Sequence, residues 1–382
     1  MNPKIVFALF MGLLLGVVFL NIPPSLDILM PLYGASYIQI SVLISAILWS
    51  HALIQVPAGM LVDRFGIGRS LMISLIFMAV GNLIPTAVPD MKIAIMGRVI
   101  SGMGTGLSFL AALKLVALYA PQGRAGAYQA FFGGFFSIGS ILAYLLIPEV
   151  IVWGWQWTYL VPGIFSILLI PFLLCLRLEP KTFGDITPLS ITRIVRMPKG
   201  WVIGIYHALS YGSMINLGNW VPTLLTETRP ESTVVQLAWG GVLVMLISGL
   251  GRLSGGFTLL RFPPVSVANG SIMILCFLFT GLFLVPIPGL VLTLALLSAW
   301  FASINFGAFF HLASKATSPD SLATFFGFIN LLANLGAVLF TMMFGWVKDT
   351  TGSLSWGFGI LAILSLIAFF FGRRVLKEES RE

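Results

Sequence analysis

Charge is what this chain has least of: Asp, Glu, Lys and Arg together make up 9% of its 382 residues, against roughly 25% in a soluble domain. That excludes an ordinary soluble protein. Cysteine is nearly absent. Cys175 and Cys276 both sit in apolar runs without ligand-like neighbours, which argues against a disulfide framework or a metal site. No loop of the G-x-x-x-x-G-K-[ST] type occurs, so ATP-driven pumping has no support. The apolar runs also lack mid-run carboxylates. Asp27 falls near the outer edge of the first run and Glu149 follows Pro148 at the end of another, so a proton relay would need a histidine or a deeper Asp27. Finally, the formal net charge of +8 is scattered in ones and twos. A nucleic-acid surface needs a clustered patch, and no nucleic-acid partner is expected.

What the chain has instead is apolar length. Hydrophobic residues make up 58% and the mean hydropathy is +1.01. A helical span needs about 20 apolar residues, and charged or Pro/Gly punctuation divides the sequence into about twelve such runs. The first covers residues 5–27, the second ends at Leu61, and the tenth covers 289–314. The first run is too long for a signal-peptide core and lacks a small-residue cleavage site, so it reads as a retained span. With the N-terminus in the cytoplasm, only Lys92, Arg229 and Lys348 of the 21 basic residues fall outside. Arg98 and Lys114 lie within a span, and the remainder, Arg252 and Arg261 included, sit at cytoplasmic ends. This satisfies the positive-inside rule. The expected setting is a prokaryotic plasma (inner) membrane with both termini cytoplasmic. Residues 178–199 form a polar, proline-containing link, which gives an N-terminal six-helix half at 1–177 and a C-terminal half at 200–382 with a short basic tail.

The segment "GMLVDRFGIGR", Gly59 to Arg69, places Asp63, Arg64, Gly66 and Arg69 at the end of the second run. Aligning Arg64 with Arg261 pairs Gly59 with Gly256 and Phe65 with Phe262, an offset of 197, with Leu260 in place of the acid. A carboxylate at such a turn is favoured beside another helix's N-terminus, where unpaired N–H groups are exposed. Ser318-Pro319-Asp320 looks like such a start, a cap followed by proline at the first helical position. The plain alternative is that Asp63 and Arg64 only cap their own helix.

On these residues the chain resembles the major facilitator superfamily. The family's loop reads G-x-L-[AV]-D-R-[FY]-G-[RK]-[RK], matched by Gly59, Leu61, Val62, Asp63, Arg64, Phe65 and Gly66. Ile67 and Gly68 depart from the pattern, and Arg69 restores a base. Span four resembles R-x-x-q-G-x-G through Arg98, Gly102 and Gly104, with Ser101 in place of Gln. "WGWQWTYL" and the "DTTGS" at Asp349 to Ser353 are similar as well. The resemblance implies an all-α polytopic protein of twelve transmembrane helices in two pseudo-symmetric six-helix halves. It also implies a secondary transporter working by alternating access about a midplane site, with Gly59, Asp63, Arg64, Gly66 and Arg69 as a conformational latch. The expected partners are a small-molecule solute, a coupling ion and the lipid bilayer; the expected state is a monomer, with no cofactor and no enzymatic activity. Span five has Ser140 where drug/proton antiporters carry a proline. That counts against a proton-coupled drug antiporter, the lack of mid-run carboxylates favours an anionic or neutral solute over a cation, and a transporter-like sensor stays open as another alternative.

Candidate contact residues follow from polar faces inside spans. At 100° per residue, Ser101, Thr105 and Ser108 fall within about 80° of Arg98 on an ideal helix. An arginine fork suits carboxylate or phosphate; the alternative is that Arg98 holds a neighbouring helix through its carbonyls. Lys114 points roughly 160° away from Arg98 and reads as a snorkelling end residue. His207 and Tyr211 share a face of span seven, Asn330 and Asn334 a face of span eleven, and Asn305 lies in span ten. Arg98, Ser101, Thr105, His207, Tyr211, Asn305, Asn330 and Asn334 are the expected solute contacts. Against them stands the reading that intramembrane amides serve as interhelical glue, at roughly 1 kcal/mol each.

Overall fold

The computed structural model describes residues 2–35, 37–178, 188–228, 234–285 and 287–376. Among them there are helices and turns and no strand. The helices are α1 (Pro3–Leu20), α2 (Leu26–Tyr33), α3 (Tyr37–Phe65), α4 (Ile67–Leu83), α5 (Met91–Tyr119), α6 (Ala125–Val150), α7 (Trp157–Cys175) and α8 (Pro188–Val195). They continue with α9 (Pro198–Thr228), α10 (Val234–Thr258), α11 (Pro264–Leu284), α12 (Pro288–Ile304), α13 (Phe306–Ala316), α14 (Leu322–Thr351) and α15 (Ser355–Val375). Among the described residues, 11 helical segments are long and apolar enough to cross a membrane, with Gly289–Ala316 counted as one. The 31-residue α9 is more polar along its length and completes the twelve.

One local expectation is corrected, and two helical details are added. The first apolar run is not one helix through residue 27. It stops at Leu20, turns through Pro23–Ser25 in a 3-10 turn, and resumes as α2. Pro23 and Pro24 explain the stop, because proline lacks an N–H and clashes with the preceding turn of a helix. The tenth run breaks at Asn305 between α12 and α13, with neither proline nor glycine at the break. The presumed linker carries helix α8. Residues 179–187, Arg229 and the tail from 377 lie outside the described residues, as do the side chains of Asp27 and Asp349.

The chain forms two compact units. The first comprises Met1–Ala120, Phe135–Ile191 and Thr317–Gly327; the second comprises Pro121–Gly134, Thr192–Ala316 and Phe328–Glu382. Helix α6 therefore contributes its first turns to the second unit, and α14 its first turns to the first. Small residues set the helix spacing inside each unit, as they do in membrane bundles generally. In the first, a Cβ on Gly81 would strike the Gly97 carbonyl oxygen at 2.5 Å, which brings α4 against α5. In the second, a Cβ on Gly251 would meet the Trp300 carbonyl oxygen at 2.8 Å, which brings α10 against α12.

Candidate functional site

Gly66 is the single residue between α3 and α4, at φ 83° and ψ 162°. That backbone region is open essentially only to glycine, so the sharp turn explains the residue. Gly59 is explained by approach: a Cβ there would sit 2.5 Å from the Ala323 carbonyl oxygen and 2.6 Å from Thr324 Cα, at the start of α14. This contact delivers Asp63 to a helix N-terminus. Its Oδ1 accepts the Ala323 N–H at 3.1 Å, and its Oδ2 accepts the Thr324 N–H at 2.8 Å and the Thr324 hydroxyl at 2.6 Å. The receiving groups lie past the expected Ser318 cap, because Pro319–Ser321 forms a 3-10 turn and Ser318 makes no side-chain cap. Arg64 and Arg69 are exposed, with Arg64 lying over the Phe65 ring.

Lys114 corrects an expectation. It does not snorkel: it is fully buried and forms an ion pair with Asp63. Its direction, opposite to Arg98 on α5, aims it at α3, and the Asp63 carboxylate supplies the counter-charge that burial requires.

On the other face of α5, Arg98 is buried and organises the end of α1. Its Nη1 donates to the Val18 carbonyl at 2.6 Å and to Asn21 Oδ1 at 2.7 Å, and its Nη2 donates to the Phe19 carbonyl at 3.0 Å. The last carbonyls of a helix lack intrahelical partners, and here a guanidinium takes them where the proline pair ends α1. Below it, Ser101 accepts from Asn82 Nδ2 at 3.1 Å and Thr105 Oγ1 pairs with His51 Nδ1 at 3.1 Å. The polar stripe of α5 thus meets α1, α4 and α3 in turn.

The second unit contains a small cavity lined by His207, Tyr211, Met214, Arg252, Ala302, Ser303, Asn305 and Phe306. Three of the expected contacts, His207, Tyr211 and Asn305, come together there. Asn305 sits at the α12–α13 break and donates to Ser210 Oγ and Ser271 Oγ, both at 2.8 Å, which ties the break to α9 and α11. Asn330 is buried and faces the His207 ring, whereas Asn334 donates to the Asn330 carbonyl one turn back. Three buried polar atoms around the cavity have no hydrogen-bond partner among the described residues: His207 Nε2, Ser303 Oγ and Asn305 Oδ1. Such atoms are costly in a packed interior.

Arg252 is the residue that sequence reading misplaced. It does not mark a helix end; it lies inside α10, 6% exposed, with its guanidinium 5.2 Å from the Phe306 ring centre and Nη2 3.6 Å from Met214 Sδ. Gly251 and Gly255, on either side of it, press α10 against α12 and hold Arg252 beside the break. A signal was present. Arg261 lies beyond the end of that run at Thr258, and six helical residues at about 1.5 Å each put Arg252 roughly 9 Å inside it. The repeat offset also pairs Arg252 with Gln55, a fully buried residue of α3.

The sequence pattern of the Major Facilitator Superfamily matches residues 8–341. The chain is 22% identical to a protein of Bacillus subtilis (strain 168) named as a probable galactarate/D-glucarate transporter, over 91% of this chain and 88% of that relative. It is 24% identical to the 2-nitroimidazole transporter of Escherichia coli (strain K12), over 94% of this chain and 91% of that one. Among solved structures, the E. coli fucose:proton symporter superposes with a TM-score of 0.80 at 18% identity, covering 98% of this chain and 99% of that one.

Proposed function

The chain belongs to the Major Facilitator Superfamily, and from that premise we propose that it is a secondary transporter of a small organic anion, with Arg252 as the residue that meets the anionic group. The observation that carries this reading is a cation set inside an apolar span beside buried polar atoms that lack partners. Charges within spans are expensive and mark solute pathways, and a guanidinium fork matches a carboxylate. Around it, Asn305 Oδ1 can only accept, while His207 Nε2 and Ser303 Oγ can each accept or donate. This set fits a carboxylate that also carries hydroxyl groups. The relative named for galactarate and D-glucarate supports the same class.

Arg98 has a different part in this reading. Its terminal nitrogens already hold Val18, Phe19 and Asn21, so it positions the end of α1 and leaves the solute to Arg252. Asp63 and Lys114 form the latch: their grip on the start of α14 releases as the access side changes during alternating access. The membrane orientation is the one set by the positive-inside rule, with both termini cytoplasmic.

The aromatic walls favour a second solute class. His207, Tyr211 and Phe306 surround Arg252, which also suits a planar aromatic solute, and one relative is named for 2-nitroimidazole, a planar ring. Uptake into proteoliposomes of a panel comprising hydroxylated dicarboxylates, hexuronates, simple monocarboxylates, inorganic anions and 2-nitroimidazole separates the readings. Saturable uptake of hydroxylated acids is expected. Uptake of none of the anions in the panel overturns the anion reading.

A further inference from the structure

The first unit caps the start of α14 with Asp63, and the sequence repeat offers no acid to do the same for α6. The position matching Asp63 is Leu260, which is 46% exposed at the turn after α10. The cap is nevertheless present. The Gly126 N–H, in the first turn of α6, donates to His311 Nδ1 at 3.2 Å. Under the offset that aligns Arg64 with Arg261, Gly126 matches Ala323, whose N–H binds Asp63, and His311 matches Lys114, the partner of Asp63. The receiving N–H group is therefore shared between the repeats, while the acceptor has moved from the last turn of the second span, α3, to α13 in the fourth span of the second repeat.

We propose that His311 is the positioning residue that replaces the missing acid at the start of α6, so that the two repeats close on helix N-termini of opposite sequence halves by different chemistry. A side chain that accepts through Nδ1 is a neutral imidazole carrying its proton on Nε2, whereas the Asp63–Lys114 pair is ionic. The approach is tight, though less so than at Gly59: a Cβ on Gly126 would lie 2.8 Å from His311 Cβ and 3.2 Å from the Gly307 carbonyl oxygen. Next to it, Gln129 Nε2 donates to Ser314 Oγ at 3.4 Å, a second and longer tie between α6 and α13. An orphan N–H in a first helical turn needs an acceptor, and His311 provides it within the span of a glycine contact that admits no other side chain from α6.

Hydrogen–deuterium exchange on the full-length protein tests this, read on peptides covering the start of α6 and, as internal reference, the start of α14. In His311→Leu, which keeps bulk but removes the acceptor, exchange at the α6 peptide is expected to rise roughly tenfold, with α14 unchanged. In His311→Asn, whose Oδ1 stands near the place of Nδ1, exchange should stay within about twofold of the parent. Transport of the same solute should fall in the leucine variant and be retained in the asparagine variant. If His311→Leu does not purify as a monodisperse protein, His311→Met supplies the acceptor-free comparison. Parent-like protection in the acceptor-free variant overturns the proposal, because packing alone then holds α6. Equal loss in His311→Asn overturns it as well.

Discussion

Lys114 and Asp63 form an ion pair in which both side chains are 0% exposed, and the same carboxylate holds two N–H groups and a hydroxyl at the start of α14. One acid thereby carries four donors from two helices. Its removal and the removal of its partner are unequal. Asp63→Asn leaves an ammonium buried without its counter-charge, which costs about 3–5 kcal/mol. Lys114→Met leaves a carboxylate still bound by three donors and should cost less, about 1–3 kcal/mol. The double variant should lie above Asp63→Asn in thermal stability, and unfolding curves for the three proteins check that order.

Arg98 gives the second expectation. A lysine cannot reach three acceptors held in a fork, so Arg98→Lys should lower the melting temperature by loosening the end of α1, at about 1–3 kcal/mol. On the proposed reading, in which Arg98 positions the end of α1 and leaves the solute to Arg252, the KM of the protein that folds should stay within about threefold of the parent. A large rise in KM with unchanged stability would return Arg98 to the solute.

At the α3–α4 turn, Gly66→Ala places a side chain at φ 83° and should cost about 1–3 kcal/mol. Gly68, two residues on, meets nothing closer than Leu178 Cβ at 3.3 Å and has no positive φ. Gly68→Ala should therefore be nearly neutral or slightly stabilising through helix propensity. Melting temperatures of the two variants distinguish conformational from steric demands in the same motif.

A fourth expectation concerns the far end of the second unit. Glu227, at the end of α9, accepts from Lys348 Nζ at 2.6 Å, Ser353 Oγ at 3.0 Å and the Leu354 N–H at 3.1 Å, just before α15. Glu227→Ala should free the α14–α15 turn. Protease cleavage near Ser353 should then rise severalfold over the parent rate, with little change elsewhere.

Much of this architecture is legible in the sequence because membranes restrict the choices. Backbone groups in lipid must bond within their own helix, so apolar length and charge punctuation mark where most helices run. The glycine at residue 66 is equally legible, since a turn of one residue between helices demands it. The breaks are less so. Pro23–Pro24 stands in plain view yet lies inside an apolar run that satisfies the length rule, whereas the break at Asn305 has no local signal and depends on Ser210 and Ser271 from other helices. Lys114 and Arg252 were misplaced for one shared reason. Neither burial partner is a sequence neighbour. Asp63 lies 51 residues from Lys114, and Phe306 sits three helices on from the α10 that carries Arg252.

The most direct measurement is solute uptake by Arg252→Gln compared with Arg98→Lys in proteoliposomes, using the hydroxylated acid that the parent protein transports. Arg252→Gln keeps a polar side chain of related length but loses the charge. Loss of one charge-assisted contact, about 1.5–3 kcal/mol, corresponds to a roughly 10- to 100-fold weaker apparent affinity, while Arg98→Lys should keep its KM. Uptake by Arg252→Gln with an unchanged KM for the anion would contradict the assignment of Arg252 as the solute's anchor.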